Sequence, residues 1–163
     1  MKNKTTHNNF KRNYRLVCIG SLAILIICFL AFRVSLSHRA AGLQQLAKDF
    51  RFANKAATIE PMLELYFLDG SNNLNITQLK GALQSELGLP IEKIEFEPLS
   101  GAPEETIRFT HKDIRYGPTL QPRYRMRVVY KSKDRLISMY TIGKTPAGKW
   151  KFTAPKPVSE WDG

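Results

Sequence analysis

The sequence predicts an α+β protein with an N-terminal transmembrane helix, followed by about three helices packed on a curved antiparallel sheet of four to five strands. Three observations support this prediction. Leu16–Leu36 is almost entirely apolar; apolar residues then recur at helical spacing as far as Leu87; and after Pro90 they alternate with polar residues, which is the period of a strand. The change of period at Pro90 divides the chain after the apolar segment into a helical half and a sheet half.

The apolar segment has the composition of a membrane span. Seventeen residues between Arg15 and Arg33 carry no charge. At about 1.5 Å per residue they cover roughly 25 Å, slightly less than a hydrocarbon core of about 30 Å. The two flanking arginines can extend toward the headgroups and close that gap. Leu16–Leu36 is therefore predicted to be a single transmembrane helix.

Basic residues on either side of the segment predict its orientation. Five of them precede it, whereas only Arg33 and Arg39 fall in the fifteen residues after Phe32. By the positive-inside rule, residues 1–15 form a cytoplasmic tail and residues 37–163 an exported domain on a plasma (inner) membrane.

Two other interpretations of the segment stay open. Small residues in Ser35-Leu36-Ser37 are suited to a signal peptidase, and cleavage after Ser37 would release a secreted protein. A pilin-like protein would be cut after a residue such as Gly20. However, the acidic residue expected early in a mature pilin helix is missing, since Ser21–Phe32 contains no Glu.

Charge is distributed unevenly along the predicted exported domain. Arg39–Glu105 holds six basic and ten acidic residues, while Arg108–Lys156 holds thirteen basic residues and only Asp113 and Asp134 as acids. The second half therefore predicts a basic surface, either a solvated sheet face or a face for anionic lipid or an acidic partner. The sequence has no nucleic-acid-binding fingerprint, so nucleic acid is not an expected partner.

Both cysteines, Cys18 and Cys28, lie in the apolar segment, so no disulfide is expected in the domain.

Three helices are predicted before Pro90. The first covers Ala40–Lys55, with its apolar face at Leu43, Leu46, Ala47, Phe50 and Ala53. The second is capped by Thr58 and has Pro61 in its first turn; its apolar residues are Met62, Leu63, Leu65, Tyr66 and Leu68. The third begins with a capping box, Asn75 and Gln78, and Gly88 ends it; its apolar stripe is Leu79, Leu83 and Leu87.

Alternating residues predict the strands. Ile94 and Phe96 belong to one strand, and Ile107, Phe109 and His111 to the inward face of another. In Arg123–Tyr130 the tyrosines, Met126 and Val128 face inward, while Arg123, Arg125 and Arg127 face outward. Leu136–Ile142 is apolar on both faces. In Lys149–Thr153, Trp150 and Phe152 face inward, and the tail after Ala154 is predicted to be irregular.

Helices followed by a meandering antiparallel sheet resemble the nuclear-transport-factor-like, or cystatin-like, α+β cone. The residues that carry the resemblance are Met62–Gly70, which looks like the end of that family's second helix, and the hairpin Tyr124–Ile142. A basic tail, one span and an exported cone domain also resemble the bitopic scaffold subunits of type IV secretion systems. That resemblance implies self-association and partner binding rather than chemistry.

One enzymatic hypothesis follows from the same resemblance. Cone enzymes such as ketosteroid isomerases and scytalone dehydratases use Asp, His and Tyr to move protons, and His111, Asp113 and Tyr116 supply these residue types close together. The simpler interpretation of His111 is a strand-end histidine bonded to a neighbour. Neither a metal-binding spacing of histidines nor a nucleophile motif is present, so no cofactor and no metal are expected.

The sequence therefore favours a membrane-anchored protein that is not an enzyme and whose exported domain is an interaction or scaffold module. The expected partners are membrane lipid and a protein, or a second copy of the chain. Arg123, Arg125 and Arg127 are the predicted partner or lipid surface. The alternative is a pocket enzyme or small-ligand binder that uses His111, Asp113 and Tyr116.

Overall fold

The structure is a computed structural model that describes residues 40–132 and 135–159. The predicted tail, the predicted membrane span and the sites of the cleaved and pilin-like alternatives lie outside these residues. Within the described ranges, no helix is long and apolar enough to cross a membrane. The chain divides into two compact units, Met1–Ala41 and Gly42–Gly163, and the fold presented below belongs to the described residues of the second.

The described residues form three α-helices and two sheets. The helices are α1 (described over residues 40–53), α2 (Glu60–Leu63) and α3 (Asn73–Glu86), with one 3-10 turn at Pro103–Glu105. The strands are β1 (Tyr66–Phe67), β2 (Ile91–Pro98), β3 (Phe109–His111), β4 (Ile114–Pro118), β5 (Pro122–Tyr130), β6 (Ile137–Lys144), β7 (Trp150–Thr153) and β8 (Pro155–Val158). The α+β class predicted from the sequence is confirmed.

Helix α1 packs its predicted apolar face into the core. All five residues of that face are buried, and Phe50 lies at the centre with no exposed surface. Its ring meets Tyr140 and Phe152 edge-on, at centroid distances of 5.0 and 5.8 Å. Edge-to-face packing of this kind is favourable because the positive ring edge meets the negative face of its neighbour.

The predicted second helix is wrong in length and in its cap. Helix α2 has only four residues, its N-cap is Ile59 rather than Thr58, and Tyr66–Phe67 is a strand. The backbone beyond Glu64 bonds to β7 instead of continuing the helix: Phe152 N–H donates to Leu65 C=O at 2.9 Å. Tertiary pairing therefore overrides the local helical pattern in Met62–Gly70, the stretch that carried the resemblance to the cone family.

Helix α3 exists as predicted but begins three residues earlier. Asn72, not Asn75, is its N-cap, and the Asn72 side chain accepts a hydrogen bond from the Asn75 N–H at 2.9 Å. The Asn75 side chain is buried and donates to Pro155 C=O at 3.1 Å. At the other end Gly88 has a φ of +78°, which glycine adopts without the strain a side chain would add. The leucine stripe packs on the core as predicted.

The larger sheet has the strand order β1-β7-β6-β5-β2. The expectation of a wholly antiparallel sheet is wrong at one edge, because β1 pairs with β7 in parallel. The hairpin β5-β6 places Met126, Val128 and Tyr130 inward as predicted, next to Tyr140 and Ile142 of β6. The helices cover this inner face.

A second sheet, of order β3-β4-β8, was not predicted. The tail after Ala154 is not irregular but forms strand β8, which pairs with β4. Strand β8 lies at the edge of its sheet. Pro155 and Pro157 are two residues apart, so both face the open side, away from β4, where no N–H has to donate a hydrogen bond to a neighbouring strand. The predicted inward face of Ile107, Phe109 and His111 is also wrong: Phe109 and His111 are exposed on β3, and Ile107 lies before the strand and is half-buried.

The chain passes between the two sheets three times, and two of these crossings, at Thr119 and at Thr153–Ala154, lie side by side. The Thr119 hydroxyl donates to Phe67 C=O at 2.7 Å and accepts from the Ala154 N–H at 3.0 Å. It also lies 3.1 Å from the Thr153 hydroxyl, which accepts from the Leu120 N–H at 3.1 Å. These two buried hydroxyls satisfy backbone groups that neither sheet pairs.

We expect Thr119→Val to lower the free energy of unfolding by about 2–3 kcal/mol, because a buried donor and a buried acceptor lose their partner. The measurement is urea unfolding followed by tryptophan fluorescence. Thr77→Val is the matched control: it makes the same chemical change on the exposed face of α3 and should stay within about 0.5 kcal/mol. Equal losses in the two variants would contradict a special role for the buried pair.

Candidate functional site

The outer face of the larger sheet is the side turned away from the helices. The register places its side chains in three cross-strand rows over β2, β5 and β6: Lys93, Val129 and Ile137; Glu95, Arg127 and Met139; Glu97, Arg125 and Thr141. Period-two alternation puts the arginines of β5 here, as the sequence predicted. We call this surface the outer face.

The arginines of the outer face lie next to glutamates of β2. Arg127 Nη1 is 2.8 Å from Glu95 Oε2, and Arg125 Nη1 is 3.9 Å from Glu97 Oε2. Hydrogen bonds from Lys93 and then Arg127 hold the pKa of Glu95 below its usual range. The two arginines therefore do not present an uncompensated positive stripe. Exposed pairs of this kind add little to stability.

An apolar patch adjoins the arginine row on β6. It consists of Ile137 and Met139, which are 41% and 62% exposed on β6, together with Leu136, which is 42% exposed in the connection just before the strand. Adjacent exposed apolar side chains on a soluble surface are typical of contact sites. The signal in the sequence was the apolar character of Leu136–Ile142 on both faces, since the outer residues of a half-buried strand are normally polar.

The rim of this β6 patch is mostly basic. Arg127 lies directly opposite Met139 in the register, and the exposed Lys131 and Arg135 flank the patch in the β5-β6 connection. Lys131 follows Tyr130, whose N–H donates to Leu136 C=O at 3.0 Å, so this rim is held to the patch by the hairpin. Glu95 is the acidic group on the same row.

The structure does not gather His111, Asp113 and Tyr116 around a cavity. His111 is exposed on β3, and Asp113 is exposed in the two-residue turn that joins β3 to β4. Lys112 and Asp113 both have positive φ, 48° and 63°, as the mirror-image hairpin turn requires. Tyr116 is buried: its ring stacks on Phe109 with centroids 4.8 Å apart, and its hydroxyl accepts from Asn72 Nδ2 at 3.3 Å.

The clefts on the surface of the described residues include two that His111, Asp113 and Tyr116 do not line. The larger, of about 900 Å³, lies between the β4-β8 sheet and the start of β5, and its charged lining residues are Arg108 and Lys156. The smaller, of about 340 Å³, lies where α1 ends beside β2 and is bordered by Arg51 and Lys55. Among the described residues, no group of three or more His, Cys, Asp or Glu could hold a metal ion.

A polar cluster that sequence reasoning missed joins α3 to the larger sheet. The Glu86 carboxylate accepts hydrogen bonds from the hydroxyls of Tyr130, Tyr140 and Ser138; the distances from Tyr130 and Ser138 are both 2.7 Å. Burial raises the pKa of both tyrosines well above the usual range, and the carboxylate raises it further. Through these hydrogen bonds the last residue of α3 is joined to β5 and β6.

Tyr140→Phe tests this cluster through the pH dependence of stability. At pH 7 the loss of one buried hydrogen bond should cost about 1–2 kcal/mol. Above pH 10 unfolded tyrosines ionise while the folded ones, with raised pKa, stay protonated, so stability falls as pH rises. Between pH 9 and 11 the variant should lose about 1.4 kcal/mol less in total than the parent, because one fewer tyrosine must release its proton. Parallel slopes in urea unfolding from pH 9 to 11 would contradict this account.

Searches of protein-family models, curated proteins and solved structures found no match to this chain.

Proposed function

We propose that this chain is a single-pass membrane protein whose exported domain is a protein-interaction module. The β6 patch is the contact site, and its occupant is a segment of a partner protein that carries apolar residues together with acidic ones. Such a segment would cover Leu136, Ile137 and Met139 and place its carboxylates near Lys131 and Arg135.

The observation that carries the proposal is the patch itself. Ile137 and Met139 remain 41% and 62% exposed on a strand whose other face packs on the core, and Leu136 just before the strand is 42% exposed. The same positions could hold polar residues at no cost to the core. Their neighbours Lys131 and Arg135 are exposed cations. An apolar centre with a charged rim is the usual anatomy of a protein interface, and the sign of the rim selects an acidic partner.

The membrane part of the proposal rests on the sequence. The chain resembles bitopic scaffold subunits of type IV secretion systems in three respects: the span Leu16–Leu36, the cytoplasmic tail of residues 1–15 and the location in the plasma (inner) membrane. Retention of the span would hold the patch close to the membrane surface and raise its effective concentration toward membrane-bound partners.

Site-specific photo-cross-linking tests the patch in the full chain in native membranes. A photoreactive amino acid replaces Met139 in one variant, and Phe52 or Leu74 in two controls; both control residues are exposed and apolar but lie on helices. We expect a discrete protein adduct at position 139 and at least fivefold less at positions 52 and 74. Only monomer after mild extraction and cross-linking, or equal adducts at all three positions, would remove support for the proposal.

Charge reversal then tests the chemistry of the partner. In the position-139 variant, Lys131→Glu combined with Arg135→Glu should reduce the adduct severalfold, because like charges then meet across the rim. Lys149→Glu is the matched control: it reverses an exposed lysine between β6 and β7, outside the patch. An adduct that survives the rim reversal unchanged would rule out an acidic partner segment.

A further inference from the structure

Strand β2 is an open edge of the larger sheet. It pairs with β5 on one side and is last in the strand order. Its eight residues make it the longer of the two edges, since β1 at the opposite edge has only two. An open edge strand presents backbone groups that can pair with another strand.

The register identifies which groups face the open side. Leu99 N–H donates to Arg123 C=O at 3.0 Å, so residue 99 faces β5, and by alternation so do residues 97, 95 and 93. The hydrogen bonds of β5 agree with this: Tyr130 N–H bonds toward β6, so by alternation its neighbours along the strand bond toward β2. Ile94 and Phe96 therefore direct their N–H and C=O groups away from the sheet, and no strand within the described residues pairs with them.

Both ends of this open stretch are closed to further pairing. The register between β2 and β5 shifts between Ile91 and Lys93, which marks a bulge, and bulges end a regular edge. Pro98 at the other end has no N–H to donate. What remains is a short window centred on Glu95, with one pairing residue on each side of it.

We propose that this window pairs antiparallel with the same window of a second copy of the chain, on a two-fold axis that passes beside Glu95. In that register Ile94 of each copy lies opposite Phe96 of the other. Such directly hydrogen-bonded pairs exchange two bonds each, so all four free N–H groups are satisfied at once. The two five-stranded sheets become one continuous sheet, and the interface is isologous.

The side chains agree with this register on both faces. On the outer face, Lys93 of each copy lies opposite Glu97 of the other, which gives two pairs of opposite charge. The two Glu95 residues meet at the axis, but each is already held by Lys93 Nζ at 2.6 Å and Arg127 Nη1 at 2.8 Å. On the inner face, the partly buried Ile94 and Phe96 extend the hydrophobic core.

Neighbouring registers are less favourable. If the register shifts by two residues toward Pro98, Glu95 of each copy lies opposite Glu97 of the other, which brings like charges together. Pro98 then lies in a hydrogen-bonded pair although it has no N–H to donate. A shift the other way brings Phe96 against Glu92, inside the bulge. The charge pattern and Pro98 exclude the first shift, whereas the second, which would set Glu95 opposite Lys93 twice, is excluded by the bulge alone. This inference does not depend on the β6 patch.

Disulfide formation in native membranes tests the register directly. The parent is the full chain with Cys18→Ser and Cys28→Ser, so that only an introduced thiol can react. In Glu95→Cys the two thiols lie across the axis, where Cα atoms of a non-hydrogen-bonded pair are about 4.5 Å apart, within disulfide range. Glu97→Cys is the control on the same strand and face, with its Cα about 14 Å from its copy.

We expect at least tenfold more disulfide-linked dimer from Glu95→Cys than from Glu97→Cys on non-reducing gels. No dimer at position 95, or equal dimer at the two positions, would overturn the proposal. Partner adducts at position 139 without a Glu95→Cys dimer would contradict only this inference. A Glu95→Cys dimer without partner adducts at position 139 would contradict only the proposed function.

A charge exchange gives an independent test that does not require position 95 to tolerate cysteine. In chains without other changes, Lys93→Glu and Glu97→Lys should each lower the dimer fraction measured by light scattering in mild detergent. The combined variant should recover at least half of it, because the cross-copy pairs are then restored with reversed sign. A monomeric unmodified chain, or no recovery in the combined variant, would contradict pairing about Glu95.

Discussion

The relative placement of the two sheets depends on the buried hydroxyls of Thr119 and Thr153, because two of the crossings between the sheets lie side by side at these residues. Each hydroxyl acts on the opposite crossing: Thr119 accepts from Ala154, and Thr153 accepts from Leu120. Gly143 permits this close approach, since a Cβ there would lie 2.6 Å from the Cβ of Leu120. The smaller sheet is thereby fixed to the larger, and no strand of the described residues pairs with the free side of β2.

A second polar contact fixes the opposite side of the core. Glu86 ends α3 and collects three hydroxyls from β5 and β6, so the helix is held in one position along the sheet. Hydrophobic burial alone would allow it to slide, because leucine and methionine side chains pack with little directional preference. The two buried polar contacts therefore specify the geometry of a core whose stability comes from Phe50, Phe152 and their apolar neighbours.

The sequence predicted the elements that depend on neighbouring residues and missed those that depend on residues far along the chain. Helix α3 and hairpin β5-β6 could be predicted because their periodicity and turn residues lie within a few positions of one another. Strands β1 and β8 could not, since β1 pairs with β7 and β8 with β4, in both cases far along the chain. The same limit applies to the outer face: alternation placed the three arginines on one side, but only the register shows that Glu95 and Glu97 lie beside two of them.

The properties of β2 that protect an open edge also give it specificity. Charges, a bulge and a terminal proline normally prevent edge strands from pairing indiscriminately. On the outer face of β2 the charges are Lys93, Glu95 and Glu97. Their signs differ, so different registers bring like or unlike charges together. The bulge and Pro98 limit how far a second strand can extend. An edge built in this way rejects most strands by repulsion or missing donors, yet it accepts an antiparallel strand with the same charge order. Such discrimination is what a self-associating surface needs if it is not to aggregate.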